Sequence, residues 1–346
     1  MEEALHQFFD DRSTWVLFGL IGVSLAVLAK AADKLVGEAV VLSERSGLPK
    51  VIIGATIVSL GTTAPEAAVS VLAALQGDPG IALGNAAGSI ICDTGLILGI
   101  ACLIKPLKLP RQIVNRQGWL QLGSGVLLVA MCWPWAAWPW QLGGNPLKIG
   151  GVLPQAIGCL FVVLLLGYLW LSVYWARHSS EEVHLEEFEK DAAAPLGVVV
   201  GKLLIAVLLV VVASHLLVQA ISIVAVRLGV PSAVIAATLV AFGTSLPELV
   251  TAVVAARKDH GDLAVGNIIG ADILNVLFVA GTSAAVTTGG LVAPASFFQA
   301  LFPAMLLVLV VFRVGVMFSG DRLRRPFGVV SIVVYTVAMV SLAILR

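Results

Sequence analysis

Apolar residues run along this chain in long blocks separated by short polar stretches. The blocks fall at about 14–44, 50–75, 80–104, 116–133, 152–176, 196–228, 232–256, 262–288, 294–314 and 327–345. A hydrocarbon layer about 30 Å thick is crossed by roughly 17–25 helical residues, so each block predicts one spanning helix. The first and sixth are longer and are expected to tilt or to extend past the bilayer. Composition points the same way, with 59% hydrophobic and 12% charged residues and a mean hydropathy of +1.01. A soluble domain is excluded, and an all-α membrane protein of ten transmembrane helices is expected, with the lipid bilayer as its first partner.

Charge then sets the orientation. One set of inter-block segments holds Arg45, Lys50, Lys105, Lys108, Arg111, Arg116, Arg177, Lys190, Arg257, Lys258, Arg313, Arg322, Arg324 and Arg325, and the other holds only Arg12, Lys148, Arg227 and Arg346. The positive-inside rule makes the first set cytoplasmic and both termini extracellular or periplasmic, in a plasma or inner membrane. The acidic start Met1-Glu2-Glu3 lacks the basic region of a cleaved signal peptide, so the first span is expected to direct its own insertion. Residues 177–195, with Glu181-Glu182 and Glu186-Glu187, form a cytoplasmic acidic linker between halves 1–176 and 196–346. A solvated linker is favoured there over a regulatory cation site. Five spans per half is an odd number, so the second half crosses the membrane inverted relative to the first, as in many secondary transporters.

Several features carry less. Net charge is zero, which gives nucleic acid no attraction. Cys92, Cys102, Cys132 and Cys159 lie in or near spans without metal-type spacing, and read as small apolar residues. Four tryptophans and two prolines between Cys132 and Trp140 predict an interfacial loop. Lys30, Asp33 and Lys34 interrupt the first span, and Asp33 and Lys34 are expected to pair with other spans or to snorkel.

The halves are related by more than topology. Ser59-Leu-Gly-Thr-Thr-Ala-Pro-Glu66 recurs as Ala241-Phe-Gly-Thr-Ser-Leu-Pro-Glu248, and Gly84-Asn-Ala-Ala-Gly-Ser-Ile-Ile-Cys-Asp93 recurs as Gly266-Asn-Ile-Ile-Gly-Ala-Asp-Ile-Leu-Asn275. At a constant offset of 182 residues, 19 of the 53 positions from 47 to 99 are identical, without a gap. Each copy puts a glutamate deep in an apolar span, with no basic residue between Val51 and Leu75 to neutralise the first. Intramembrane carboxylates are costly and mark ion or proton paths. Pro65 and Pro247 clash with the carbonyl four residues back, at Gly61 and Gly243, so the second and seventh spans should be broken there. Irregular backbone at that depth survives only where it lines a cavity or is buried in protein.

The breaks bring together oxygen donors: freed carbonyls, the hydroxyls of Thr62, Thr63, Thr244 and Ser245, and the carboxylates of Glu66 and Glu248. Ser89 with Asp93, and Asn275 with Asp272, share helix faces by spacing and add to the set. Oxygen donors without His or Cys select hard cations such as Ca²⁺ or Na⁺. The Gly84/Gly88 and Gly266/Gly270 pairs have the small-xxx-small spacing of closely packed helices.

These motifs resemble the two alpha repeats of the cation/calcium antiporter superfamily, in particular its sodium/calcium exchanger branch of prokaryotic type, over about 47–99 and 229–281. The resemblance implies a ten-helix inverted-repeat fold whose central sites alternately take sodium ions or one calcium ion. It makes Glu66 and Glu248 shared ligands, with Thr62, Thr63, Thr244, Ser245 and the backbone at Ser59 and Ala241 completing flanking sites. Three positions depart from the family pattern. Asp93 and Asn275 are exchanged, Ala271 replaces a serine, and Asp272 replaces an asparagine.

An antiporter exchanging Na⁺ for Ca²⁺, without a cofactor, is therefore the leading expectation. An exchanger of the same fold coupled to protons is the alternative, and a passive cation channel ranks lower because paired broken helices favour alternating access. An enzyme is not expected. Asp93-Thr94-Gly95 has the tripeptide of aspartic proteases, but the position paired with Asp93 is Asn275, and that chemistry needs two aspartates.

Overall fold

The structure, a computed structural model, describes residues 12–134, 149–178, 195–229 and 243–344. Ala241, the first part of the seventh block, most of the tryptophan-rich segment and nearly all of the acidic linker lie outside these residues.

The long helices are α1 (Thr14–Ser46), α4 (Pro79–Ile104), α5 (Arg111–Cys132), α6 (Gln155–Arg177), α7 (Leu196–Arg227), α9 (Gly261–Val286), α10 (Phe297–Phe318) and α11 (Arg325–Ile344). The shorter α2 (Lys50–Thr62) and α3 (Ala64–Leu75) meet at Thr63 with a bend of 43°, and α8 (Leu246–Arg257) follows the turn at Thr244 and Ser245. Seven of the described helices are long and apolar enough to cross a membrane, and the bent pair makes an eighth. Helix α5 falls short because Arg111, Asn115, Arg116 and three glutamines dilute it, and α8 because only 12 of its residues follow the break.

Burial is inverted relative to a soluble protein. Trp15, Leu166, Val163, Leu208 and Phe318 are exposed, whereas Glu66, Asp93, Glu248 and Asp272 are each 1% exposed. An apolar exterior around a polar interior suits hydrocarbon as solvent. The most central helix is α9, almost wholly buried, with α4 next; α11, α1 and α6 face outward.

Among the described residues, four short strands tie the loops in two antiparallel pairs. β1 (Leu107–Lys108) pairs with β4 (Arg322–Leu323), and β2 (Gly151–Leu153) pairs with β3 (Leu291–Ala293). In each pair one strand comes from the first half of the chain and its partner from the second. Near β1 and β4, Lys105 bonds Asp259 at 2.7 Å, and that hydrogen bond holds the Asp259 carboxyl below its usual range. Lys258 reaches Asp33 at 2.6 Å and Lys50 lies 3.5 Å from His260, so these basic loops share one end of the bundle. Arg227, by contrast, bonds Thr14, at the other end of α7.

Helix α9 lies against α2 backbone to backbone. A Cβ on Gly266 would stand 2.1 Å from the Val51 carbonyl oxygen, and one on Gly270 2.4 Å from that of Ala55. The glycine pair of α9 thus packs as its spacing predicts. Among the described residues, Gly84 meets only the Phe297 ring and Gly88 meets nothing within 4 Å; the segment that the repeat pairs with them lies in 230–242, outside the described residues.

Gly270→Ala should therefore force α2 and α9 apart, at a cost of roughly 1–3 kcal/mol from overpacking. Gly123→Ala on α5, where a Cβ meets nothing within 4 Å, should be neutral or mildly stabilising. Thermal unfolding in detergent checks this: a lowered midpoint is expected for the first variant alone.

Candidate cation site

The site is built from local departures from α-helix. Gly54–Val58 is a π-helical turn, as are Cys92–Ile97 and Asn275–Ala280, the last two matching one another in the two repeats within one residue. Wider turns of this kind leave backbone groups without their usual partner and recur at functional sites. One such group is satisfied from outside: Tyr168 of α6 donates its hydroxyl to the Ala55 carbonyl at 2.9 Å. The proline ring keeps Thr63 from continuing α2 into α3, and Pro65 opens α3 with Glu66 beside it in its first turn. Pro247 and Glu248 open α8 in the same way.

The two repeats meet across this opening. Thr63 Oγ1 donates to Glu248 Oε1 at 3.4 Å, and Thr62 also reaches that carboxyl. Ser245 lies against Asp93 and Cys92, close enough to interact electrostatically but outside hydrogen-bonding geometry. The charges of Glu248 and Asp93 act on Glu66, and those of Glu248 and Asp272 act on Asp93. Ser59 and Thr62 donate back to the carbonyls of Thr56 and Ser59, at 3.2 and 3.4 Å.

Eight expected residues hold buried side-chain oxygens with no hydrogen-bond partner among the described residues: Glu66 Oε2, Ser89 Oγ, Asp93 Oδ1, Thr244 Oγ1, Ser245 Oγ, Glu248 Oε2, Asp272 Oδ1 and Asn275 Oδ1. A buried oxygen without a partner costs about 1–3 kcal/mol, more when charged, so this concentration of acceptors matches a cation. Among the described residues, no three His, Cys, Asp or Glu side chains converge closely enough to hold a metal ion by themselves. Hydroxyls and carbonyls must complete the coordination, and hard cations accept those ligands.

Asp272 faces a different set of partners. Its Oδ2 accepts from Thr94 Oγ1 and from Gln121 Nε2, and Gln121 also donates to Thr94 at 3.0 Å. Both donors come from the first half of the chain, so the substituted aspartate is held by α4 and α5. Sequence reasoning missed Gln121, although Gln117, Gln121 and Ser124 form a buried polar stripe at helical spacing on α5. It also missed Asn85, which donates to Ser70 Oγ at 3.0 Å and to the Glu66 carbonyl at 3.5 Å. The repeat itself carried that signal, because Asn85 recurs as Asn267.

A multi-pass helical membrane protein with a buried set of oxygen ligands at the meeting of two repeats belongs to the class of ion transporters. The chain matches the family model described as sodium/calcium exchanger protein over residues 16–174 and 198–343, and it belongs to that family. It is 33% identical over 300 residues to inner membrane protein YrbG of Escherichia coli, covering 85% of this chain and 86% of the relative. To the sodium/calcium exchanger MaX1 of Methanosarcina acetivorans it is 28% identical, over 94% of this chain and 98% of that one. Its fold is similar to the sodium-calcium exchanger NCX_Mj soaked without Na⁺ and Ca²⁺, with a TM-score of 0.78 at 24% identity, over 95% of this chain and 100% of that structure.

Gln121→Leu should strand Asp272 with one donor, at a cost of roughly 1–3 kcal/mol to the cation-free protein that a bound cation offsets, so added cation should stabilise this variant more than wild type. Gln121→Asn, shorter but still a donor, should fall between the two. Cation-dependent thermal stabilisation of the purified variants measures this; equal stabilisation of wild type and Gln121→Leu would remove Asp272 from the site.

Proposed function

We propose that this protein is a secondary antiporter that exchanges Na⁺ for Ca²⁺ across the cell membrane by alternating access. The observation that carries the reading is the set of unpartnered buried oxygens supplied by both repeats, with Glu66 and Glu248 at its centre. Ca²⁺ takes six to eight oxygens, and two carboxylates with neighbouring hydroxyls and carbonyls supply them. Ser59, Thr62, Thr63 and Glu66 serve one flank, and Ala241 through its backbone, Thr244, Ser245 and Glu248 serve the other. Ser89, Asp93, Asp272 and Asn275 close the set from α4 and α9. Na⁺ ions entering the flanks satisfy the same carboxylates in turn, so the two cations compete for charge.

The architecture behind this mechanism is ten spans in two inverted five-helix halves, 1–176 and 196–346, joined by a cytoplasmic linker at 177–195. The cross-paired strands support it, since the loop after α4 pairs with the loop before α11, and the loop before α6 pairs with the loop after α9. These pairings interchange under a two-fold axis in the membrane plane. The basic end of the bundle is then cytoplasmic and both termini are external.

Proton coupling is the second reading, favoured by Asp272. Three Na⁺ neutralise Glu66, Glu248 and Asp93, whereas one Ca²⁺ leaves a negative surplus that Asp272 enlarges. Reconstituted vesicles separate the readings: an imposed Na⁺ gradient should drive Ca²⁺ uptake, and a pH gradient alone should not. Glu66→Gln and Glu248→Gln should each abolish uptake while the protein still inserts, and wild-type rates in both would place the site elsewhere. External Ca²⁺ should accelerate release of trapped ⁴⁵Ca²⁺, which a passive channel would not do.

Ala271 gives a finer expectation. Its partner in the repeat, Ser89, carries an unpartnered hydroxyl, and a methyl group offers no oxygen. Ala271 follows Gly270, which packs on Ala55 of α2, so the flank formed by Ser59, Thr62, Thr63 and Glu66 lacks that ligand, worth on the order of 1 kcal/mol or roughly fivefold in affinity. Ala271→Ser should lower the Na⁺ concentration for half-maximal exchange and leave Ca²⁺ affinity nearly unchanged. A shift in Ca²⁺ affinity instead would favour the proton-coupled reading.

A further inference from the structure

A groove of about 320 Å³ opens on the outer surface between α1 and α7, away from the cation site. Its walls are almost entirely hydrocarbon, from Val27, Ile205, Leu209 and the stems of Lys30, Lys34 and Lys202. Lys34 Nζ stands 2.7 Å from Glu38 Oε1 and Lys202 Nζ stands 4.0 Å from the same oxygen, so two ammonium groups converge on one carboxylate. Lys30 lies one helical turn from Lys34, a like-charge i,i+4 pair that destabilises a helix when nothing offsets it. The rim therefore carries three positive charges against one negative charge, beside a surface that faces lipid. Asp33, between the two α1 lysines, pairs with Lys258, which ties this stretch to the basic end of the bundle. Snorkelling lysines explain one such residue, whereas three around one apolar groove match a phosphate above an acyl chain.

We propose that this groove binds an anionic phospholipid of the leaflet on the basic side. The phosphate lies among Lys30, Lys34 and Lys202, and an acyl chain runs along Val27, Ile205 and Leu209. The lipid would bridge α1 and α7 without touching the cation ligands. Its negative charge would also offset the mutual repulsion of the lysines.

Native mass spectrometry of the detergent-purified protein, offered equal amounts of phosphatidylglycerol, phosphatidylethanolamine and phosphatidylcholine, tests this without any transport assay. The result stands whether or not the Na⁺/Ca²⁺ reading does. Wild type should retain phosphatidylglycerol preferentially. Lys30→Gln, which keeps the Lys34–Glu38–Lys202 cluster, should weaken retention roughly fivefold, and Lys30→Gln with Lys202→Gln roughly twenty-five-fold. Lys30→Arg with Lys202→Arg should restore it, which separates lost charge from misfolding. An excess of inorganic phosphate should not displace the lipid, because phosphate has no acyl chain for the groove. No preference for phosphatidylglycerol, retention unaffected by the double Gln substitution, or displacement by phosphate would each overturn the proposal.

Discussion

Everything in this fold depends on keeping carboxylates at a depth where water is scarce. Moving one charged side chain to the centre of a bilayer costs roughly 3 kcal/mol on insertion scales, and four lie buried together here. Such a cluster is tolerated only if something nearby accepts or offsets the charge. Partial relief comes from within the protein, through Thr62 and Thr63 at Glu248 and through Thr94 and Gln121 at Asp272. The remaining oxygens are left for a cation. Structural saturation of the carboxylates would have made a stable bundle with nothing to bind.

The same constraint accounts for the backbone. A regular helix spends its carbonyls internally, so a site made from backbone oxygen requires breaks, and each break must be enclosed by protein. Helix α9 provides that enclosure where the structure describes it. Gly266 and Gly270 let it lie so close that Val51 and Ala55 carbonyls sit where side chains would otherwise be. Tyr168 of α6 donates to the Ala55 carbonyl. Glycine at these positions is thus a condition for the break, besides a packing convenience.

Most of the spans, the bend at Thr63 and the approach of Glu66 to Glu248 were legible in the sequence because each follows from one local rule: block length, proline sterics, or a gapless repeat. The π-helical turns at 54–58, 92–97 and 275–280 were not legible, since a single extra residue per turn leaves hydrophobic periodicity almost unchanged. Gln121 was hidden for another reason. Its partners Thr94 and Asp272 lie 27 and 151 residues away, and no spacing rule joins three helices. The repeat also misdirected attention toward symmetry: Asp272 shares a face with Asn275, but its hydrogen bonds go to the first half of the chain, where the repeat has no counterpart for Gln121's role.

Helix α7 supplies the remaining link between site and movement. Val207 packs its methyl groups onto Gly61, and Val218, three turns along the same helix, packs onto Gly243. Those glycines are equivalent in the repeat and stand at the two breaks. One helix therefore presses a valine against both halves of the site, at positions where the backbone has no Cβ to hold it off. Part of its seam with α1 lies in two small clusters, Leu28, Ala31, Ala32, Val210, Ala213 and Leu217 in one and Leu17, Ile223 and Val224 in the other, while Leu35, Val36, Leu203 and Ala206 belong to the main core. In the proposed antiport mechanism, a shift of the α1–α7 pair would lift one valine from its glycine while seating the other more firmly. The two breaks would then be released in alternation by a single rigid element, which is the coupling that exchange without leakage requires.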